Sequence, residues 1–251
     1  MRTLLLGLCC CLLTTVMVSA AEEVAAAMPA DGLLAYYPFN GNAKDESGKG
    51  HPGMVTGAAL TADRSGRAER AFAFDGIDDE IVIDPPPPLD AKGFSVSVWV
   101  RFDFPDHITP WVDHGDGGVK GRDPIIGQDD GYAIRCFQLW MCDKLLLWHR
   151  MNEYSSVWTK WDLEKDTWYH VIATFDGKQH TLFVDGKEEW SAGGIFKVSA
   201  SEPIRIGSKG DELVKKRIFF AGAIDDIRFY NRALTAAEAQ ALFVEKPLQL
   251  Q

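Results

Sequence analysis

The stretch Phe94-Ser95-Val96-Ser97-Val98-Trp99-Val100-Arg101-Phe102 alternates without a break. Period two predicts a strand with Phe94, Val96, Val98, Val100 and Phe102 on one face and Ser95, Ser97, Trp99 and Arg101 on the other. Upstream, Phe72-Ala73-Phe74 and Ile81-Val82-Ile83 read as short strands around the turn at Asp75-Gly76. Pro85 to Pro88 cannot donate ladder hydrogen bonds and form a stiff connector. Downstream, Trp168–Phe175 and Thr181–Val184 are hairpin strands punctuated by Asp176-Gly177 and Asp185-Gly186. Ile204–Gly207 and Phe219–Tyr230 complete the strand set. One helix is expected over Ala236–Val244, with Thr235 as its cap and Glu238 closing a capping box. Many short strands and one short C-terminal helix predict an all-β, two-sheet antiparallel sandwich of the jelly-roll kind.

The ends of the chain read differently. Arg2, the apolar run Leu4–Val18 and the small residues Val18-Ser19-Ala20 form a secretory leader cut after Ala20. The run is too short for a membrane span, which needs roughly 20 apolar residues. Residues 21–31 are an Ala/Glu-rich leader, 32–246 one domain and 247–251 a tail. The expected location is secreted, periplasmic or cell-surface. The chain has 26 basic and 36 acidic side chains, a net charge of −10. That excess repels phosphate backbones, so nucleic acid is excluded as a partner, whereas neutral glycans and cations are compatible. Of five cysteines only Cys136 and Cys142 lie beyond the leader. In an exported chain this pair is either a disulfide closing a short loop or two free thiols beside a hairpin turn.

Several stretches resemble the laminin G-like, pentraxin-related branch of the concanavalin A-like lectin/glucanase jelly rolls. They are Leu33–His51, Phe74-Asp75-Gly76-Ile77-Asp78-Asp79, the Trp168-Tyr169-His170 strand with the Asp185-Gly186 hairpin, and Phe220–Leu234. The resemblance implies two antiparallel sheets with the first and last strands paired on one of them. It also implies a structural calcium. Asp45-Glu46-Ser47-Gly48-Lys49-Gly50-His51 is a glycine-rich acidic loop of the type that supplies oxygen ligands. In Ala223–Phe229, strict alternation puts Asp225 on the face of Ala223, Ile227 and Phe229, where a lone carboxylate needs compensation. The expected ligands are the Asp45 and Asp225 side chains with the Gly48 or His51 carbonyls. The competing reading makes Asp45 a turn residue and gives Asp225 amide hydrogen bonds. No Cys/His spacing supports zinc.

Eight tryptophans offer stacking faces for sugar rings. Trp148, Trp158 and Trp161, with Arg101, Trp111 and His149, are the candidate ligand-contacting residues, while Trp99 and Trp168 belong to the strand skeleton. Asp103–Asp130, a long segment containing His107, Asp113, His114 and Asp116, is either a binding rim or a solvated loop. The acidic alternation Glu-x-Asp-x-x-Glu, which the resemblance associates with some hydrolases of this fold, is absent; Asp75, Asp78, Asp79 and Glu80 gather around a turn instead. The reading is a non-catalytic module for a glycan or extracellular protein. The alternatives are a glycoside hydrolase or lyase, and a structural or oligomeric assembly protein.

Overall fold

A computed structural model of the chain describes residues 29–103, 122–129, 135–142, 145–149, 156–194, 198–211 and 216–245. The expected secretory leader therefore lies outside the described residues. The elements are β1 (Leu33–Tyr37), β2 (Gly53–Thr56), β3 (Ala59–Thr61), β4 (Ala71–Asp75), β5 (Glu80–Ile83), β6 (Phe94–Phe102), β7 (Arg122–Asp129), β8 (Arg135–Cys142) and β9 (Leu145–His149). Next come β10 (Ser156–Trp158), β11 (Trp168–Phe175), β12 (Gln179–Val184), β13 (Lys187–Gly193), β14 (Ile204–Ile206), β15 (Ser208–Asp211), β16 (Lys216–Phe219), β17 (Ala221–Tyr230) and α1 (Ala236–Val244).

Two antiparallel sheets form the sandwich. Sheet A runs β13-β12-β11-β6-β17-β4-β3, and β1 pairs with the second half of β17. Sheet B runs β10-β9-β8-β7-β14-β5-β2. The first and last strands are thus joined, with Tyr37 opposite Ile227 and Leu33 opposite Tyr230. The core lies between the sheets. The alternation read from β6 delivers Phe94, Val96, Val98, Val100 and Phe102 into it, where they meet Phe137, Leu139, Ile204 and Ile206 of sheet B. The turn between β12 and β13 places Asp185 at φ 49° and Gly186 at φ 75°, the left-handed pair a two-residue hairpin demands.

One register detail corrects the sequence reading of β17. Asp225 lies opposite Trp99 and Arg228 opposite Ser97, so two residues of β17 face the single Val98 of β6. This is a bulge, with Asp226 at φ 47°. A one-residue insertion moves the rest of the strand to the other face. Ile224, Ile227 and Phe229 therefore enter the core, and Asp225 does not share their face. It stands beside Trp99 on the outer face of sheet A.

The cysteine pair is corrected too. Cys136 and Cys142 lie on one strand, β8, with no loop between them. Six residues of extended chain separate their Cα atoms by about 20 Å, whereas a disulfide needs about 7 Å or less. They do not pair within the chain.

Helix α1 covers part of the outer face of sheet A. Leu234, Ala239 and Leu242 pack on Ile172, Phe183 and Tyr230. Its start matches the sequence reading: the Thr235 side chain accepts from the Glu238 N–H, and the Glu238 carboxylate accepts from the Thr235 N–H at 2.8 Å.

Candidate functional site

The side chains expected to hold a cation are engaged by groups of the chain itself. One Asp45 oxygen accepts the main-chain N–H groups of Tyr36 and Ser47, and the other accepts that of His51, at 2.9–3.1 Å. Burial raises this carboxyl, but those hydrogen bonds outweigh it and hold the group below its ordinary range. The His51 carbonyl accepts the Tyr37 hydroxyl. Gly48 sits in the same loop at φ 79°, a conformation suited to glycine. Asp225 is claimed by a cation of the chain itself. Arg64 Nη1 lies 2.8 Å from Asp225 Oδ2 and 2.6 Å from Asp226 Oδ2. A guanidinium bridging two carboxylates does not fit a calcium held jointly by Asp45 and Asp225. The competing role for Asp45, a turn residue accepting amides, is the arrangement seen.

Around Arg64 the outer face of sheet A is a closed polar cluster. The guanidinium stacks 4.5 Å above the Trp99 ring, which itself stacks on His170 and on Phe243 of α1. Arg228 lies over Tyr36 and pairs with Glu245 at 3.0 Å. Ser97 Oγ meets His170 Nε2 at 2.9 Å. Burial pushes the Asp225 carboxyl upward, the neighbouring Asp226 adds to this and Arg64 opposes it. Burial, then Arg228 and Arg64, hold His170 well below the usual histidine value, so its imidazole is neutral. Arg228, Asp225 and His170 are each at most 2% exposed. This cluster fastens the 62–67 loop and α1 to the sheet, and its members are buried.

The accessible aromatic chemistry lies elsewhere, at the end of the sandwich where β6 finishes and β11 begins. Asp166 N–H donates to the Phe102 carbonyl there, tying the 159–167 connection to the end of β6. That connection carries Trp161, which is 37% exposed. Its ring leans on Tyr169 at 5.6 Å between centroids, and its indole N–H donates to Glu189 Oε2 at 2.9 Å. The preceding residue, Lys160, sets its ammonium 4.7 Å over Trp190. Consecutive residues of the loop thus clamp consecutive residues of β13. At the same end Arg101 lies 5.6 Å over Trp168, its register partner, and 3.4 Å from Asp103.

Of the sequence-derived candidates, Trp161 and Arg101 therefore come to one end of the sandwich. Trp168, assigned to the skeleton from sequence, joins them through Arg101. Trp111 lies outside the described residues, as do His107, Asp113, His114 and Asp116. The backbones of Trp148, His149 and Trp158 are placed, with Trp148 opposite Leu139 and Val157, and Trp158 opposite Leu147; their side chains lie outside the described residues. Sequence reading missed Trp190, Lys160 and Glu189. The Glu-Trp and Lys-Trp dipeptides were visible, but nothing in one sequence says that the two segments touch.

Among the described residues one group of acids has ligand atoms within 4.8 Å of one another: Asp75, Asp78 and Asp79 in the β4–β5 turn. Asp79 Oδ2 accepts the Asp75 N–H at 2.8 Å, so part of that closeness is turn geometry. Glu80, next in sequence, is spent on Arg205, Arg217 and the Ser208 hydroxyl.

Fold and rim together define a two-sheet jelly roll with an aromatic end. A model of the concanavalin A-like lectin/glucanases superfamily matches residues 75–240, and the chain belongs to that family. No match is found among curated proteins. Domain 4 of AbnA, an extracellular GH43 arabinanase from Geobacillus stearothermophilus solved with arabinotriose, aligns at 20% identity with a TM-score of 0.60. The alignment covers 84% of this chain and 97% of that one. The binding domain of Paraclostridial Mosquitocidal Protein 1 aligns at 19% identity and TM-score 0.64, covering 85% of this chain and 52% of that one. The ligand-binding domain of botulinum neurotoxin serotype D, solved with N-acetylneuraminic acid, aligns at 14% identity and TM-score 0.62, covering 87% and 52%. The chain spans about half of those toxin domains. At these identities the likeness carries the fold.

Proposed function

We propose that the protein is a non-catalytic carbohydrate-binding module, exported by its N-terminal leader, that meets its glycan at the Trp161 end. The observation that carries the reading is the state of Trp161. A large indole at the end of the sandwich keeps over a third of its surface in water, while its N–H is fixed by Glu189 and its ring by Tyr169. A held, accessible aromatic face edged by Lys160 and Glu189 has the chemistry of sugar recognition: apolar ring faces stack and hydroxyls find polar partners. Two relatives of this fold were solved with an oligosaccharide or a sialic acid, which supports the same class of ligand. The buried pair Asp225–Asp226, sealed beneath Arg64, is unsuited to the acid and base work of a hydrolase.

A panel of soluble polysaccharides and glycans tests this. Wild type is expected to bind at least one of them without releasing reducing ends. Trp161→Ala is expected to lose about tenfold or more in affinity, and Trp161→Phe to retain part of it. Binding unchanged in Trp161→Ala, or release of reducing ends by the wild type, overturns the proposal.

A further inference from the structure

Three indoles stand at the Trp161 end, and two of them already carry a cation of the chain. Lys160 Nζ lies 4.7 Å over Trp190, and the Arg101 guanidinium lies 5.6 Å over Trp168. Among the described residues no cation lies over Trp161, whose contacts are the Tyr169 ring and the Glu189 carboxylate. An indole face attracts cations through its quadrupole. Trp161, the exposed ring of the three, is therefore the one whose face is left to a cation from outside.

The charge around that face leans to one sign. The 159–167 connection carries Asp162, Glu164 and Asp166 against Lys160 and Lys165, and Lys160 is committed to Trp190. The β12–β13 hairpin adds Asp185 and Glu189, with Lys187 between them. Strand β13 holds an extra residue here. Trp190 lies opposite Leu182 and Glu188 opposite Phe183, so Glu189 is the bulged position, and a bulge re-aims a side chain. It is aimed at the Trp161 N–H. Glu164 is tied to the same pair of rings, because its main-chain N–H donates to the Tyr169 hydroxyl at 2.8 Å. Burial raises that hydroxyl, and the charges of Glu164 and Asp185 add to the effect. Asp162 and Glu164 are exposed, and among the described residues neither is in an ion pair.

We propose that the glycan met at Trp161 is one that carries free amino groups, a de-N-acetylated amino-sugar polymer, an inference that rests on the glycan site proposed above. The sugar ring lies on the Trp161 face, and its ammonium faces Asp162 and Glu164. A uronate or a sulfated sugar would bring its anion to the same carboxylates and be repelled.

The test titrates the full chain, at about pH 5.5 where Asp and Glu are ionised, with oligomers of glucosamine, N-acetylglucosamine and galacturonic acid. The glucosamine oligomer is expected to bind about tenfold more tightly than its neutral N-acetylated counterpart, with a smaller margin at high salt. The galacturonate oligomer is expected not to bind. Asp162→Asn with Glu164→Gln, at exposed positions that do not threaten the fold, is expected to narrow that margin to about twofold or less. Trp161→Ala is expected to lose both amino-sugar oligomers. Equal affinity for the two, preference for galacturonate, or no glucosamine binding overturns the proposal. Where any such binding is still lost in Trp161→Ala, the glycan site stands and only its preference for cations falls. Binding that survives Trp161→Ala removes the site itself.

Discussion

Two clusters of this molecule are built from the same parts and differ in burial. Under α1, Trp99 is stacked by Arg64, and Arg64 is held by Asp225 and Asp226. At the rim, Trp190 is covered by Lys160, and the adjoining Trp161 is held by Glu189. Each joins an indole, a cation and a carboxylate from strands and loops distant in sequence. In the first cluster Trp99 is 8% exposed, and in the second Trp161 is 37% exposed. Burial turns an ion pair into an obligation, because removing one partner strands the other in a medium of low polarity. Exposure leaves the same chemistry free to meet a ligand. The first cluster is architecture, and the second is where the proposed function places recognition.

Arg64→Ala is the strongest way to break this contrast. It leaves two adjacent buried carboxylates without their shared cation and removes the clasp of the 62–67 loop. The expected loss is about 3–5 kcal/mol in urea unfolding at pH 7. Without Arg64 the Asp225 carboxyl, already raised by burial, rises further above its unfolded value, so the variant regains stability as pH falls toward the unfolded carboxylate range, and the deficit narrows at pH 5. A loss below about 1 kcal/mol would mean that the bridge is a surface pair in all but geometry.

Asp123 sharpens the point, since it is a buried acid with no such partner among the described residues. It lies on β7 opposite Met141, a core residue, and is 3% exposed. Burial alone pushes its carboxyl up to about 7. The folded chain then holds a proton that the unfolded chain has released, so stability falls as pH rises between the two values, by about 1.4 kcal/mol per unit. Asp123→Asn removes that slope. The variant is expected to match wild type near pH 4 and exceed it by roughly 2–4 kcal/mol at pH 8. Parallel pH profiles for the two proteins would refute the assignment.

Legibility in the sequence tracks how local a feature is. The alternation of β6, the Asp-Gly hairpins and the Thr235–Glu238 box need only neighbours along the chain, and each stands where its pattern puts it. Pairing of the chain ends came from family resemblance. The face of Asp225 was hidden, because one bulge after it inverts the parity that strict alternation assumes. Its partner Arg64 is 161 residues away, and no local pattern announces it. Cys136 and Cys142 suggest a turn between them, yet the apolar strand runs straight through both. At the rim Trp161 was visible as an aromatic near other aromatics, but its exposure and its clamp on β13 exist only in three dimensions.

The cover of the buried cluster can also be loosened at its edge. Thr235→Ala deletes the acceptor for the Glu238 N–H, a bond of 3.2 Å at the start of α1. The expected loss is about 1 kcal/mol, read as a lower midpoint with an unchanged denaturant slope. Glu238 also holds Arg232 at 2.6 Å, so a larger loss would show that the cap and this ion pair act as one unit.

The smallest effect belongs to the rim and completes the contrast. Glu189→Ala removes the acceptor of the Trp161 N–H at a solvent-exposed position. Water replaces a lost partner there, so unfolding free energy is expected to move by about 0.5 kcal/mol or less. Glycan affinity should nonetheless fall by about threefold, because an indole that rotates freely must be ordered again on binding. Glu189→Gln keeps a carbonyl acceptor and should restore most of that affinity. If Glu189→Ala instead destabilises the chain as Arg64→Ala does, the rim is a second piece of architecture and the recognition surface must be sought elsewhere.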